Sequence, residues 1–250
     1  MILPRAFLDT PIAHRGLHDA AAGRPENSMA AMRAAVAAGY GIEMDIQAAA
    51  GGTPMVFHDT TLDRMTAAAG PVIARDAAEL SAIALNNGTE GIPTLAAVLA
   101  AVGGRVPLLI EVKDQSRVMG SVDGALERAV ADALAGYDGP VAVMGFNPHS
   151  VAAFASTAPH IPRGIVTGSY DHPGWAPLGA ERLGQLRAIS DFDRLNACFI
   201  SHDKDDLQDG AVAALKHRGV PVLSWTITSE AEAQQALRIA DNITFEGFLP

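Results

Sequence analysis

Residues 41–59 read Gly41-Ile-Glu-Met-Asp-Ile-Gln-Ala-Ala-Ala-Gly51-Gly-Thr-Pro-Met-Val-Phe-His-Asp59. The pattern is strand, tight turn, strand. Alternation puts Ile42, Met44 and Ile46 on one face and Glu43 and Asp45 on the other. Gly51-Gly52 marks the turn, and the second run, Met55-Val56-Phe57, ends in His58-Asp59. Two carboxylates two residues apart on one face offer hard oxygen ligands. Such a set suits Mg²⁺ or Ca²⁺, with Mn²⁺ next, rather than zinc. A histidine delivered beside that cation is a candidate proton carrier. Taken alone, the same pattern also describes a hairpin with a merely polar outer face, so the flanking stretches carry the decision.

Upstream, Pro11–Gly16 is a short strand ending in His14 and Arg15. Pro25-Glu26-Asn27-Ser28 then leads into a helix that Asn27 or Ser28 caps and Gly39 ends. Downstream, residues 60–93 read as irregular, broken by Gly70-Pro71, Asn86-Asn87-Gly88 and Gly91. Thr94 caps a helix through Val102, and Val106–Lys113 is a strand with Glu111 and Lys113 on one face. The rest alternates. Helical stretches near 122–134, 148–158, 178–189, 211–216 and 229–240 separate strands near 141–146, 164–167, 197–201, 220–227 and 242–245. Ser229 and Glu232 form a capping box for the last helix, and Cys198 reads as a buried thiol in mid-strand. If the second run of the hairpin is an excursion, eight strand–helix units remain, which predicts an α/β fold, a (β/α)₈ TIM barrel. No Gly-x-Gly-x-x-Gly follows the first strand, which argues against a doubly wound nucleotide fold. Residues 1–250 are expected to form one domain, with a short insertion at about 60–93.

Composition sets limits on function. With 49% hydrophobic residues the chain can build a real core, and 250 residues is an ordinary barrel length. A formal net charge of -10 argues against nucleic acid or an anionic membrane as partner. An anionic substrate then needs local basic residues or a cation. The single cysteine excludes an internal disulfide and fits a reducing compartment. Neither a signal peptide nor a membrane-spanning run is read, so the expectation is a cytoplasmic protein without stable membrane insertion. No motif specifies an oligomeric state.

Barrel enzymes work at the C-terminal ends of their strands. His14, Arg15, Glu43, Asp45, Glu111, Lys113 and Trp225 all fall at such ends in this reading. Three carboxylates can hold one divalent cation. Arg15 and Lys113 supply charge for a phosphate, the first as a planar fork and the second as a point charge. His14 and His58 can serve as acid and base on opposite sides of phosphorus. Lys113 as a plain ion pair and Trp225 as core are the bland alternatives. His18 and His202 read as polar loop positions, and His217 as solvated surface.

The ordered set His14-Arg15-Gly16, Pro25-Glu26-Asn27, Glu43-x-Asp45, His58-Asp59 with Thr61-Leu62-Asp63-Arg64, Pro93-Thr94-Leu95, Glu111-x-Lys113 and Trp225-Thr226 resembles the glycerophosphodiester phosphodiesterase family. The resemblance is dense over the first half of the chain and sparse beyond it. It implies a TIM barrel and metal-dependent cleavage of a small glycerophosphodiester to an alcohol and sn-glycerol 3-phosphate. Carried over by position, Glu43, Asp45 and Glu111 hold the metal, and His14 and His58 are the acid–base pair. Arg15 and Lys113 bind phosphate, with Trp225 and Glu26 at the substrate site. One departure stands out. Many members carry Thr-Asp-x-Pro after the last strand, whereas this chain has Thr244-Phe245-Glu246-Gly247. Rival readings are a lysophospholipase D-like phosphodiesterase, an enolase-type isomerase and a non-catalytic barrel binding module. The isomerase spreads its carboxylates over three strands, and a decayed module should have lost a histidine or ligand.

Overall fold

In the computed structural model, which describes residues 1–250, the strands are β1 (Ile12–Ala13), β2 (Gly41–Ala48), β3 (Pro54–Val56), β4 (Leu108–Val112), β5 (Val141–Gly145), β6 (Arg163–Thr167), β7 (Phe199–Asp203), β8 (Val222–Ile227) and β9 (Asn242–Phe245). Eight pair in parallel, and the pairings of β1 with both β2 and β9 close the ring. The ninth, β3, lies outside the ring as the antiparallel return of the 41–59 hairpin, with Ile46 opposite Val56. Helices α1 (Ala6–Asp9), α2 (Met29–Ala38), α3 (Ala77–Ala82), α4 (Leu95–Val102), α5 (Ala125–Leu134), α6 (Pro148–Thr157), α7 (Gly179–Arg187), α8 (Gly210–His217) and α9 (Glu230–Ala236) complete the chain.

The alternation in β2 survives, but both of its faces are buried. Ile42, Met44 and Ile46 join the apolar layer between strands and helices, while Glu43, Asp45 and Gln47 turn into the barrel. A polar face inside a barrel is costly unless its groups are partnered, so it already implies a site. A smaller apolar plug that includes Leu3, Phe7, Ile12, Leu109, Phe199 and Leu223 fills the opposite end of the barrel. Asn242 ties α1 over that end, its Nδ2 donating to the carbonyls of Phe7 at 2.8 Å and Thr10 at 2.7 Å. Only the C-terminal mouth of the barrel is left open to chemistry.

Local signals explain the element ends. The Ser28 hydroxyl accepts from Ala31 N at 3.1 Å and starts α2, and Gly39 ends it in the left-handed conformation. Gly16 turns the chain out of β1 with φ +78°, and a Cβ there would lie 3.0 Å from Ala31 backbone, so the position needs glycine twice over.

The structure corrects four sequence expectations. Residues 60–93 are not irregular throughout. They contain a 3₁₀ turn at Val72–Ala74 and the helix α3, started by a full capping box between Asp76 and Glu79. Leu62, Val72, Leu80, Leu85 and Ile92 pack there on Met55 and Phe57, a separate small core. Its elements are too short for a hydrophobic period to build up. Cys198 sits one residue before β7, in the plug. His202 is not in a loop: it is buried in β7, with ring nitrogens 2.8 Å from Thr167 Oγ1 and 3.1 Å from the Asp206 carbonyl oxygen. In α9 only half of the expected box forms. Ser229 Oγ accepts from Glu232 N, but the Glu232 carboxylate reaches past Ser229 to Thr228 N at 2.7 Å, and the helix stops at Ala236.

Candidate active site

Strand register brings the carboxylates together. Asp45 on β2 lies directly opposite Glu111 on β4, and Glu43 stands two residues before Asp45 on the same face. One oxygen from each of the three lies within 4.8 Å of the others. Their environments differ. Lys113 Nζ stands 2.7 Å from both Asp45 Oδ1 and Glu111 Oε1. Asp45 Oδ2 also accepts from Asn27 Nδ2 at 2.9 Å and faces Arg15 Nε at 3.3 Å. Burial alone would raise the Asp45 carboxyl, but Lys113, His58 and Arg15 together hold it well below the usual range. Glu43 gets one hydrogen bond, from Arg15 N at 2.9 Å, and no lysine or arginine side chain in contact; His14 Nε2 lies 3.9 Å away. Burial, then Asp45 and Glu111, push its carboxyl well above the ordinary range. An all-oxygen donor set with one strained member fits a hard divalent cation.

Two imidazoles flank this cluster, each braced by a carboxylate. His14 Nδ1 lies 2.6 Å from Glu246 Oε2, and His58 Nδ1 lies 2.7 Å from Asp59 Oδ1. A carboxylate at Nδ1 holds the proton there and leaves Nε2 as the free nitrogen. The His14 and His18 hydrogen bonds draw the Glu246 carboxyl far below its ordinary value, with His18 Nε2 at 3.3 Å. Burial and the nearby Lys113 ammonium lower the His58 imidazole. Asp59 is itself gripped by Arg64, at 2.6 Å and 2.9 Å, and the same guanidinium holds Glu26 at 2.8 Å and 2.7 Å. Glu26 Oε1 accepts from Arg15 Nη1 at 2.8 Å. One hydrogen-bonded chain thus runs His58–Asp59–Arg64–Glu26–Arg15. Arg15 and Asn27 are held at φ +54° and +56°, left-handed values that non-glycine residues adopt at a cost.

These groups border a cavity of about 90 Å³ at the barrel mouth. Of the sequence candidates, His14, Arg15, Glu43, Asp45, His58, Glu111, Lys113 and Trp225 line it. Glu26 lies outside the lining and touches Arg15 from behind. Trp225 donates its indole N–H to the Ser201 carbonyl at 3.0 Å and packs edge-on against Phe146. Sequence reasoning assigned no role to Asn27 beyond a possible helix cap, none to Gln47, and left Arg64 as part of a motif. Gln47 Nε2 donates to the His58 carbonyl at 3.0 Å, and its parity with Glu43 and Asp45 was a usable signal. The contacts of Glu246 with His14 and His18 span more than 220 residues and leave no local pattern.

The sequence profile of the glycerophosphoryl diester phosphodiesterase family matches residues 14–242. The chain belongs to this family. Among its relatives, YhdW of Bacillus subtilis (strain 168), provisionally named a glycerophosphodiester phosphodiesterase, is 27% identical over 231 residues, covering 89% of this chain and 87% of that one. A glycerophosphodiester phosphodiesterase of Caldanaerobacter subterraneus subsp. tengcongensis is 31% identical over 163 residues, 62% of this chain and 65% of the relative. A phosphodiesterase of Oleispira antarctica, solved with the product sn-glycerol-3-phosphate, superposes with a TM-score of 0.78 at 23% identity, covering 96% of this chain and 94% of that one. As a member of the glycerophosphoryl diester phosphodiesterase family the chain is an enzyme, a phosphoric diester hydrolase on a TIM barrel. No helix is long and apolar enough to cross a membrane.

Proposed function

We propose that the chain hydrolyses small glycerophosphodiesters to an alcohol and sn-glycerol 3-phosphate, with one divalent cation and a pair of histidines. The observation that carries this reading is the bracing of His14 and His58 by Glu246 and Asp59 on either side of three buried carboxylates. Glu43, Asp45 and Glu111 would hold Mg²⁺ or Ca²⁺, with Mn²⁺ as a further choice, and a bound cation would neutralise charge on the phosphate. Arg15 and Lys113 then add positive charge on the oxygens, Arg15 fixed by Glu26 and Asp45 so that its fork is already oriented. One imidazole takes a proton at Nε2 from the nucleophile, and the other delivers one to the leaving oxygen. The nucleophile is water or the substrate's own glycerol hydroxyl, which would give a cyclic phosphate first. Free, buried Cys198 suits a reducing compartment such as the cytoplasm.

Turnover of glycerophosphocholine after exhaustive chelation, then after adding Mg²⁺ or Ca²⁺, tests the reading. Loss and recovery of activity are expected, and full activity without metal would remove the cation from it. The rival lysophospholipase D reading predicts faster turnover of lysophosphatidylcholine in the same assay.

A further inference from the structure

The cavity has two unlike ends. On the β7 and β9 side, Ser201 and Thr244 are among the lining residues, and their hydroxyls lie just beneath that wall, buried and without a hydrogen-bond partner. Buried hydroxyls are almost always partnered, so two orphans in one cavity wall point to ligand hydroxyls. On the other side the cavity continues into a groove of about 370 Å³ that shares His58, Glu111, Lys113 and Phe146 with it. Beyond the shared residues its walls combine apolar Val118, Met119, Trp175, Pro177 and Leu178 with Asp114 and Arg117. Val118 is 59% exposed there, although the chain buries most of its large apolar side chains.

The loop that presents Val118 is built rather than slack. Asp114 accepts from Ser116 N at 2.9 Å, Ser116 Oγ at 2.7 Å, Asn147 Nδ2 at 2.8 Å and Met119 N at 2.8 Å. Ser116 Oγ accepts from Gly120 N at 2.9 Å. These bonds hold Arg117 and Met119 at φ +60° and +53°, left-handed values that need such support. Opposite, Trp175 is fixed against Phe146 and Tyr170, with centroids at 5.5 Å and 5.2 Å. The charges nearby do not suit a cation. Lys113 is paired with Glu111, and Arg117 balances Asp114 in formal charge, so the groove carries no net negative charge to draw a cation.

We propose that the cavity sorts the two halves of the diester: glycerol lies over Ser201 and Thr244, and the groove takes an uncharged hydrocarbon alcohol in preference to a quaternary ammonium one. This deepens the phosphodiesterase reading above and rests on it. The groove's continuity with the cavity at His58 puts its occupant on an oxygen of the same phosphate.

The test uses the full chain with a divalent cation and glycerol diesters of 1-hexanol, choline and glycerol. The hexyl diester should exceed the choline diester in kcat/KM by at least ~10-fold. Val118→Asp and Trp175→Ala should each bring that ratio close to unity, and a ratio within one variant is insensitive to partial unfolding. Thr244→Val keeps shape and removes a hydroxyl that has no partner in the fold. It should weaken inhibition by sn-glycerol 3-phosphate ~10-fold more than inhibition by inorganic phosphate. A choline diester equal to or better than the hexyl one overturns the proposal, as does an unchanged ratio in both groove variants or unchanged product inhibition in Thr244→Val. A 1-acyl lysophospholipid outrunning the hexyl diester also overturns it, by placing the tail on the glycerol half. If no diester is turned over with any cation, the phosphodiesterase reading itself falls and the proposal with it.

Discussion

Replacing Glu43 by glutamine should make the metal-free protein more stable while removing its activity. Glu43 faces Asp45 and Glu111 with one oxygen from each within 4.8 Å. At that distance and an effective dielectric near 20, each like-charge pair costs about 3.5 kcal/mol. Lys113 offsets roughly one pair, which leaves a net cost of about 3.5 kcal/mol when Glu43 is ionised. The metal-free site relieves that cost by holding the Glu43 proton to higher pH than a free carboxyl does. The carboxyl is raised, so between the ordinary carboxylate value and the raised one the folded state holds a proton that the unfolded state has released. Stability contributed by this group is therefore complete below about pH 4.3 and is lost as pH rises through the folded pKa, by up to about 1.4 kcal/mol per pH unit. The amide in Glu43→Gln has nothing to titrate and still offers an oxygen to Arg15 N. In EDTA, melts from pH 5.5 to 8 should show a falling Tm for the wild type and a flatter line for Glu43→Gln, with the variant higher at pH 8 by about 5 °C. Mg²⁺ or Ca²⁺ should raise the wild-type Tm and move the variant much less. A variant that melts below wild type in EDTA at pH 8, or keeps the wild-type slope, would refute the reasoning that Glu43 carries the strain. Asp45→Asn is expected to do the opposite, because Lys113, Arg15 and Asn27 already stabilise that carboxylate.

His14→Ala and His58→Ala should each lower kcat at least ~10²-fold with little change in Tm, and near-normal turnover in either would remove that histidine from the chemistry. Glu246→Ala should reproduce part of the His14→Ala loss in kcat while leaving KM close to wild type, since Glu246 meets His14 at Nδ1; an unchanged kcat would make that contact incidental. Lys113→Met should weaken phosphate-product binding and also destabilise the metal-free fold by about 3 kcal/mol, because Asp45 and Glu111 lose a buried partner. Arg15→Lys should not rescue Arg15→Ala in product binding, since a point charge cannot reach Glu26 and the phosphate as a fork does. Asp76→Ala should cost about 1 kcal/mol through the lost cap of α3, read as a drop in Tm with kcat unchanged.

Sequence by itself carried the architecture, because local physics writes it residue by residue. Period-two alternation in 42–46, caps at Ser28 and Thr94, and stops at Gly39 and Gly103 are properties of neighbouring residues. Eight such units leave little choice but a closed parallel ring. The same locality made Glu43, Asp45, His58, Glu111 and Lys113 legible, since each belongs to a short motif, although Glu43 and Asp45 lie inside β2 rather than at the strand end the sequence reading gave them. The small core of 60–93 escaped because its hydrophobic residues come from elements of three to six residues, too short to show a period. Placing His202 in a loop failed because its neighbours are polar while its burial is set by Thr167 on the adjacent strand. What tertiary structure alone decided is which carboxylate is paired and which is strained, and which partner orients each imidazole. Glu43 and Asp45 are two residues apart in one strand, yet Lys113 reaches only the second, because β4 sits in register with Asp45. Glu246 meets His14 only because the last strand closes the ring on the first. Such contacts depend on ring closure and strand register, and those are fixed by the packing of the whole chain rather than by any stretch of it.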